Sequence, residues 1–167
     1  MILRHAEAGQ DPAAASDADR TLTARGRDDA ARQGAWMTSS GFRPDRTLAS
    51  TALRAVETAQ LVSAAWGEDA LDISWDPALY LASLRRLMLT LAKLPADGGR
   101  VLLVGHNPGL ADLVEHLTGR PLAMHDRGRV FPTATLAHVV LPRGWGQLTA
   151  GCGELRLLRP PEGTDED

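Results

Sequence analysis

The 167-residue chain carries one cysteine, Cys152, and one lysine, Lys93. A lone thiol excludes an internal disulfide and fits a reducing compartment. Between Gly151 and Gly153 it reads as a small residue of a strand or turn rather than a nucleophile. With a single lysine, nearly all positive charge is arginine, whose planar fork matches phosphate oxygens. There is no basic excess. The formal net charge is -3 and the pI about 5.9, which removes the electrostatic argument for a nucleic-acid or anionic-membrane partner. No apolar run approaches the roughly 20 residues that span a bilayer, and no signal peptide opens the chain, so a cytoplasmic location is expected. Neither GxxxxGK[ST] nor GxGxxG occurs, which leaves out a nucleotide loop. Trp36, Trp66, Trp75 and Trp145 lack the spacing of a base-stacking platform, and no segment repeats.

What is present suits one domain, residues 1–159. At 44% hydrophobic a chain of this length buries a single core. The tail 160–167, "PPEGTDED", joins prolines to acids without an apolar residue and is expected to be flexible. "ILRHA" is a minimal strand, followed by a polar loop to Arg20. Leu22 to Gly41 reads as a helix capped by Thr23, with Ala30, Ala31, Gly34, Ala35 and Met37 as its packing face. "DRTLAS" is a strand, and "STALRAVETAQLVSAAWG" a helix capped by Ser50 or Thr51. "LDISW" is a strand stopped by Asp76 and Pro77. Leu81, Leu84, Leu87, Met88, Leu91 and Leu94 repeat at helical spacing. Val101 to Val104 is a continuous aliphatic run of the kind buried on both faces of a parallel sheet. A helix follows Pro108 and closes at Gly119. Arg120 to Pro132 reads as a loop in which Arg120, Arg127 and Arg129 are solvated. "TATLAHVVLP" and "GELRLLRP" read as two late strands, paired as a hairpin through "RGWGQ". The pattern predicts an α/β three-layer sandwich: a mostly parallel central sheet, helices on both faces and an antiparallel edge.

Three polar clusters fall where a predicted strand ends: Arg4 with His5, Ser50 to Arg54, and His106 with Asn107. Open parallel sheets bind ligands outside the carboxyl ends of their strands. Two histidines and two arginines gathered there, at the positive ends of helices, suit a phosphoryl group. A neutral imidazole is a competent nucleophile toward phosphorus, guanidiniums hold the equatorial oxygens, and a second imidazole can donate to another. That set calls for no metal or other cofactor, and no matching Asp or Glu ligand spacing is evident.

"LRHAEA", "STALRAVETA" and "LLVGHNPGL", with "RTLTARG" and "ALYLAS", resemble the histidine phosphatase superfamily, and within it the SixA-type phosphohistidine phosphatases. The resemblance implies a phosphoglycerate mutase-like fold. It also implies that His5 is the phosphorylated nucleophile and that Arg4, Arg54 and His106 are catalytic phosphate ligands. Arg20 and Tyr80 are candidates for the rim of the pocket. Relatives that hydrolyse alkyl esters place a carboxylate beside the leaving oxygen, commonly from the region between Pro77 and Pro95. Here that region holds no Asp or Glu; Asp76 stands at its margin, and Glu7 follows the nucleophile. A phosphoramidate needs no such acid, because its amine or imidazole leaves more readily. The expected substrate is therefore phosphohistidine on a protein, with inorganic phosphate as product. The alternatives are a small phosphate ester with Glu7 as acid, and a noncatalytic phosphate-binding module.

Overall fold

The aliphatic run at Val101 becomes the strand that the rest of the sheet is built around. In the computed structural model, which describes residues 1–10, 14–67, 72–95, 99–123, 130–141 and 144–161, strand β4 (Val101–Gly105) is buried at every position. It lies between β1 (Ile2–Arg4) and β2 (Arg46–Ser50), parallel to both. Strand β3 (Ile73–Asp76) adds in parallel outside β2. On the other side β5 (Leu136–Val140) runs antiparallel to β1, and β6 (Glu154–Arg159) antiparallel to β5. The sheet order is β3-β2-β4-β1-β5-β6, a mixed sheet with its antiparallel element at one edge, as the pattern predicts.

The period-2 alternation of strand side chains divides the core in two. Leu3, Ala49, Leu102, Val104 and Leu136 pack with Ala30 and Met37 of α1 (Ala24–Ser39) and with Ala55, Ala59 and Val62 of α2 (Leu53–Ala64). Ile2, Leu103 and Ala137 turn to the opposite face, against Leu87 and Leu91 of α3 (Leu84–Leu91) and Leu110, Leu113 and Leu117 of α4 (Gly109–Thr118). Both faces are thereby covered, which a parallel sheet requires.

The helices differ from expectation at their ends. Thr23 does cap α1, its Oγ1 accepting from Gly26 N at 3.0 Å. The buried face of α1 is Gly26, Asp29, Ala30, Gln33, Gly34 and Met37, whereas Ala31 and Ala35 are exposed. Its buried polar groups have partners, as desolvation demands: Asp29 pairs with Arg32 at 2.5 Å and Gln33 with Arg159. Gly34 admits α2, since a Cβ there would meet Val62 O at 2.7 Å. Helix α2 is capped by neither Ser50 nor Thr51. Ala52 is the N-cap, with no side-chain bond, because Ser50 ends β2 and its hydroxyl meets Ala52 N and His106 rather than an N–H inside the helix. Helix α3 is shorter than the leucine repeat suggests. Ser83 caps it, accepting from Arg86 N at 3.5 Å; Leu81, in the left-handed region with φ 46°, stays outside and exposed. Gly119, φ 66°, closes α4 as expected.

Leu71 of the third expected strand, His125, Arg127 and Arg129 of the late loop, Arg143 of "RGWGQ" and residues 162–167 of the tail lie outside the described residues. Among the described residues no helix is long and apolar enough to cross a membrane.

Candidate active site

Strand register carries the polar clusters to one edge of the sheet. Arg4 pairs with Gly105, Ala49 with Val104, and Ser50 with Asp76. The ladder extends one bond further, His5 N donating to Gly105 O at 3.0 Å, so His5 and His106 leave adjacent strands side by side. Their ring centroids are 5.0 Å apart, and both residues are buried. His5 Nδ1 lies 2.7 Å from Ala6 O. A carbonyl only accepts, so Nδ1 carries the proton and Nε2 keeps its lone pair. Burial pushes the His5 pKa down to about 3; the Ala6 bond opposes this, and His106, Arg4 and Arg54 add to it. The ring is therefore neutral near pH 7, with the lone pair of Nε2 free.

The turn before β5 fixes the neighbouring guanidinium. Arg4 Nη1 donates to Phe131 O at 3.0 Å, and Asn107 Nδ2 donates to the same carbonyl at 3.0 Å and to Val130 O at 2.9 Å. Phe131 and Ala134 both have left-handed backbones, φ 58° and 55°, uncommon for residues with a Cβ. In that conformation Ala134 N reaches His5 O at 3.1 Å, while Arg4 N reaches Thr135 O at 3.1 Å. The strained turn thus aims Arg4 and holds the backbone of His5 together.

Arg54 stands in the first turn of α2 with a side chain only 4% exposed. Thr58, one turn later, ties it to the segment that carries His5: Oγ1 donates to Arg54 O at 2.6 Å and accepts from Ala6 N at 3.0 Å. His106 Nε2 is 2.8 Å from Ser50 Oγ. Tyr80 lies edge-on to the His106 ring at 5.6 Å, and Arg54 sits 5.9 Å over the Tyr80 ring. The Tyr80 corner packs closely because Gly109 has no side chain: a Cβ there would clash with the carbonyl of Ala82. Burial lowers the His106 pKa to about 4; Arg54 lowers it further, Asp17 opposes, and Arg4 adds a smaller lowering.

Arg4, His5, Arg54, Tyr80 and His106 are all brought together. Arg20 reaches the rim through Asp17, to which its Nη1 donates at 3.0 Å, while its Nε and Nη2 hold Gly9 O and Ala8 O. Glu7 turns elsewhere. Its Oε1 accepts from Thr23 Oγ1 at 2.8 Å, at the start of α1. Glu57 likewise serves structure, accepting from Leu22 N at 2.6 Å and Arg27 Nη2 at 2.8 Å. Sequence reasoning missed Asp17, which pairs with Arg54 at 2.8 Å, and the roles of Ser50 and Thr58. The signals for Asp17 were an acidic pair, Asp17 and Asp19, directly before Arg20 in an otherwise featureless loop. Among the described residues no three His, Cys, Asp or Glu side chains group as a metal site.

The family model of the histidine phosphatase superfamily (branch 1) matches residues 1–80, the part that carries Arg4, His5, Arg54 and Tyr80. Among curated proteins compared by sequence, none matches the chain. The solved structure of the protein histidine phosphatase SixA complexed with tungstate is 27% identical, with a TM-score of 0.76 over 94% of this chain and 93% of that one. A structure assigned to phosphohistidine phosphatase SixA from Nakamurella multipartitia is 28% identical, with a TM-score of 0.77 over 96% and 95%. A mycobacterial glucosyl-3-phosphoglycerate phosphatase, 17% identical with a TM-score of 0.64 over 93% and 95%, shares the fold. The family match covers the first two polar clusters and the structural match runs nearly end to end, so the chain carries the histidine phosphatase pattern over residues 1–80 and the fold of SixA phosphohistidine phosphatases throughout.

Proposed function

We propose that the protein is a metal-independent phosphatase that passes the phosphoryl group through His5, and that its substrate is phosphohistidine on a protein. The observation that carries this reading is the bond from His5 Nδ1 to Ala6 O, which leaves a neutral Nε2 beside Arg54 and His106. Nε2 attacks phosphorus in line, and the bond from phosphorus to the leaving group breaks as the new P–N bond forms. Arg4, Arg54 and His106 take up the charge on the equatorial oxygens, the work a metal ion does elsewhere. Water then attacks phospho-His5, the electron pair returns to Nε2, and inorganic phosphate leaves. The tungstate bound by the SixA structure is a tetrahedral oxyanion, the kind of group this arrangement would hold.

The substrate class rests on the leaving group. An alkoxide needs a proton donor, and Glu7, the candidate, is engaged with Thr23 at the start of α1. That contact disfavours a small phosphate ester with Glu7 as acid. The experiment compares a phosphohistidine protein, a phosphoserine peptide and a panel of sugar phosphates with excess chelator present, and follows acid-labile phosphate on the protein. The expected result is preference for phosphohistidine and labelling of wild type but not of His5→Ala. Preference for alkyl esters, or turnover by His5→Ala, overturns the reading; no release from even an activated aryl phosphate would instead indicate a noncatalytic binding module.

A further inference from the structure

Asp17 lies in the 3-10 turn Asp17–Asp19 and meets Arg54 twice. Nη1 donates to its backbone carbonyl at 2.5 Å and Nη2 to its Oδ2 at 2.8 Å. Tyr80 Oη donates to the same Oδ2 at 2.8 Å, and Arg20 Nη1 to Oδ1 at 3.0 Å. The Asp17 side chain is 48% exposed where that of Arg54 is 4% exposed. It therefore stands on the solvent side of Arg54, bonded to the Tyr80 whose ring packs edge-on against the buried His106. An in-line displacement places the leaving group opposite the attacking nitrogen, which is that solvent side. A carboxylate offers about four acceptor sites; Tyr80, Arg54 and Arg20 occupy three.

We infer that Asp17 determines specificity: its carboxylate accepts a hydrogen bond from the distal ring N–H of a phosphoimidazolium leaving group, favouring phosphohistidine over phosphate esters. This rests on the function proposed above and names the residue that selects the substrate. As His5 Nε2 forms its bond to phosphorus, the leaving ring nitrogen takes the electron pair of the breaking P–N bond. The distal nitrogen keeps its proton, so neutral imidazole departs and no proton is transferred. An ester leaving group brings no N–H, and Asp17 has no proton to give it: bonds from Tyr80 first, then Arg20 and Arg54, hold its carboxyl well below the usual range. The protein applies the same device to its own nucleophile. When His5 is in turn the leaving group, its distal Nδ1–H is held by Ala6 O.

The test is the ratio of kcat/KM for a phosphohistidine protein to kcat/KM for phenyl phosphate, in wild type, Asp17→Asn and Asp17→Glu. A charge-assisted hydrogen bond of this kind predicts a fall in the ratio of about tenfold or more in Asp17→Asn, with recovery in Asp17→Glu. If Asp17 only steadies Arg54, both substrates suffer alike and the ratio holds within about twofold; that result overturns the inference. Asp17→Ser supplies the same reading from a second neutral side chain should Asp17→Asn not fold. A wild type that turns over neither substrate overturns the proposed function itself, whereas turnover of both with an unmoved ratio overturns only the assignment of Asp17.

Discussion

Ser50 Oγ lies 2.8 Å from His106 Nε2, with both residues buried. The hydroxyl accepts from Ala52 N at 3.3 Å, so its own hydrogen is available to Nε2. His106 then carries its proton on Nδ1, a buried atom with no hydrogen-bond partner among the described residues. Buried polar groups without a partner are rare, and here a phosphoryl oxygen would supply one. Ser50 is thus a positioning residue that sets the tautomer of His106.

Replacing that hydroxyl should therefore impair catalysis in a protein that still folds. In Ser50→Ala, Nε2 loses its donor and competes with Nδ1 for the ring proton. The expected loss is about tenfold in kcat for an aryl phosphate, together with about 1–3 kcal/mol of stability, since Ala52 N and Nε2 both lose a buried partner. Unchanged kcat in a folded Ser50→Ala protein would show that the tautomer is set without the hydroxyl.

Acid should weaken the fold through the same two rings. His5 and His106 have native values of about 3 and about 4, against roughly 6.5 in an unfolded chain. Between about pH 6.5 and those values the unfolded state binds protons that the native state refuses, so stability rises with pH across that window and falls as the solution is acidified. Above about pH 6.5 these rings add no slope. Urea midpoints measured from pH 7 to pH 4 should fall more steeply for wild type than for a His5→Asn, His106→Asn double variant; parallel curves would mean that other groups govern the acid transition.

The edge of the sheet was legible because its signal is local. Short apolar runs break off in Arg4, Ser50 and His106, and parallel strands must bring such ends together. The use of Ser50 was not, since a serine just before a helix reads equally well as its cap, and only the register of β2 against β4 decides between helix and histidine. Asp17 was hidden for a different reason. Its bonds to Arg54 and Tyr80 span 37 and 63 residues, and nothing in an aperiodic loop of Ala, Asp and Ser announces which carboxylate folds back. Leu81 misled in the opposite direction. It keeps the helical spacing, yet Ser83 starts α3 behind it and leaves it exposed.

Thr58 offers a test of how far the placement of His5 depends on α2. Its hydroxyl is the acceptor for Ala6 N, and Ala6 is fully buried. Thr58→Val keeps the shape and removes the acceptor, leaving that N–H unsatisfied at a cost of about 1–3 kcal/mol, measurable by urea denaturation. The Arg54 carbonyl, which also receives the hydroxyl hydrogen, remains inside a helix and is affected less. Because the Ala6 carbonyl on the other side of the same residue holds His5 Nδ1, a shift of Ala6 also misaligns Nε2. The predicted outcome is joint loss of stability and kcat in Thr58→Val, and recovery of both in Thr58→Ser, which restores the acceptor. Loss of stability with kcat intact would show that Ala6 keeps its place by the strand ladder alone and that α2 supports the fold without aiming His5.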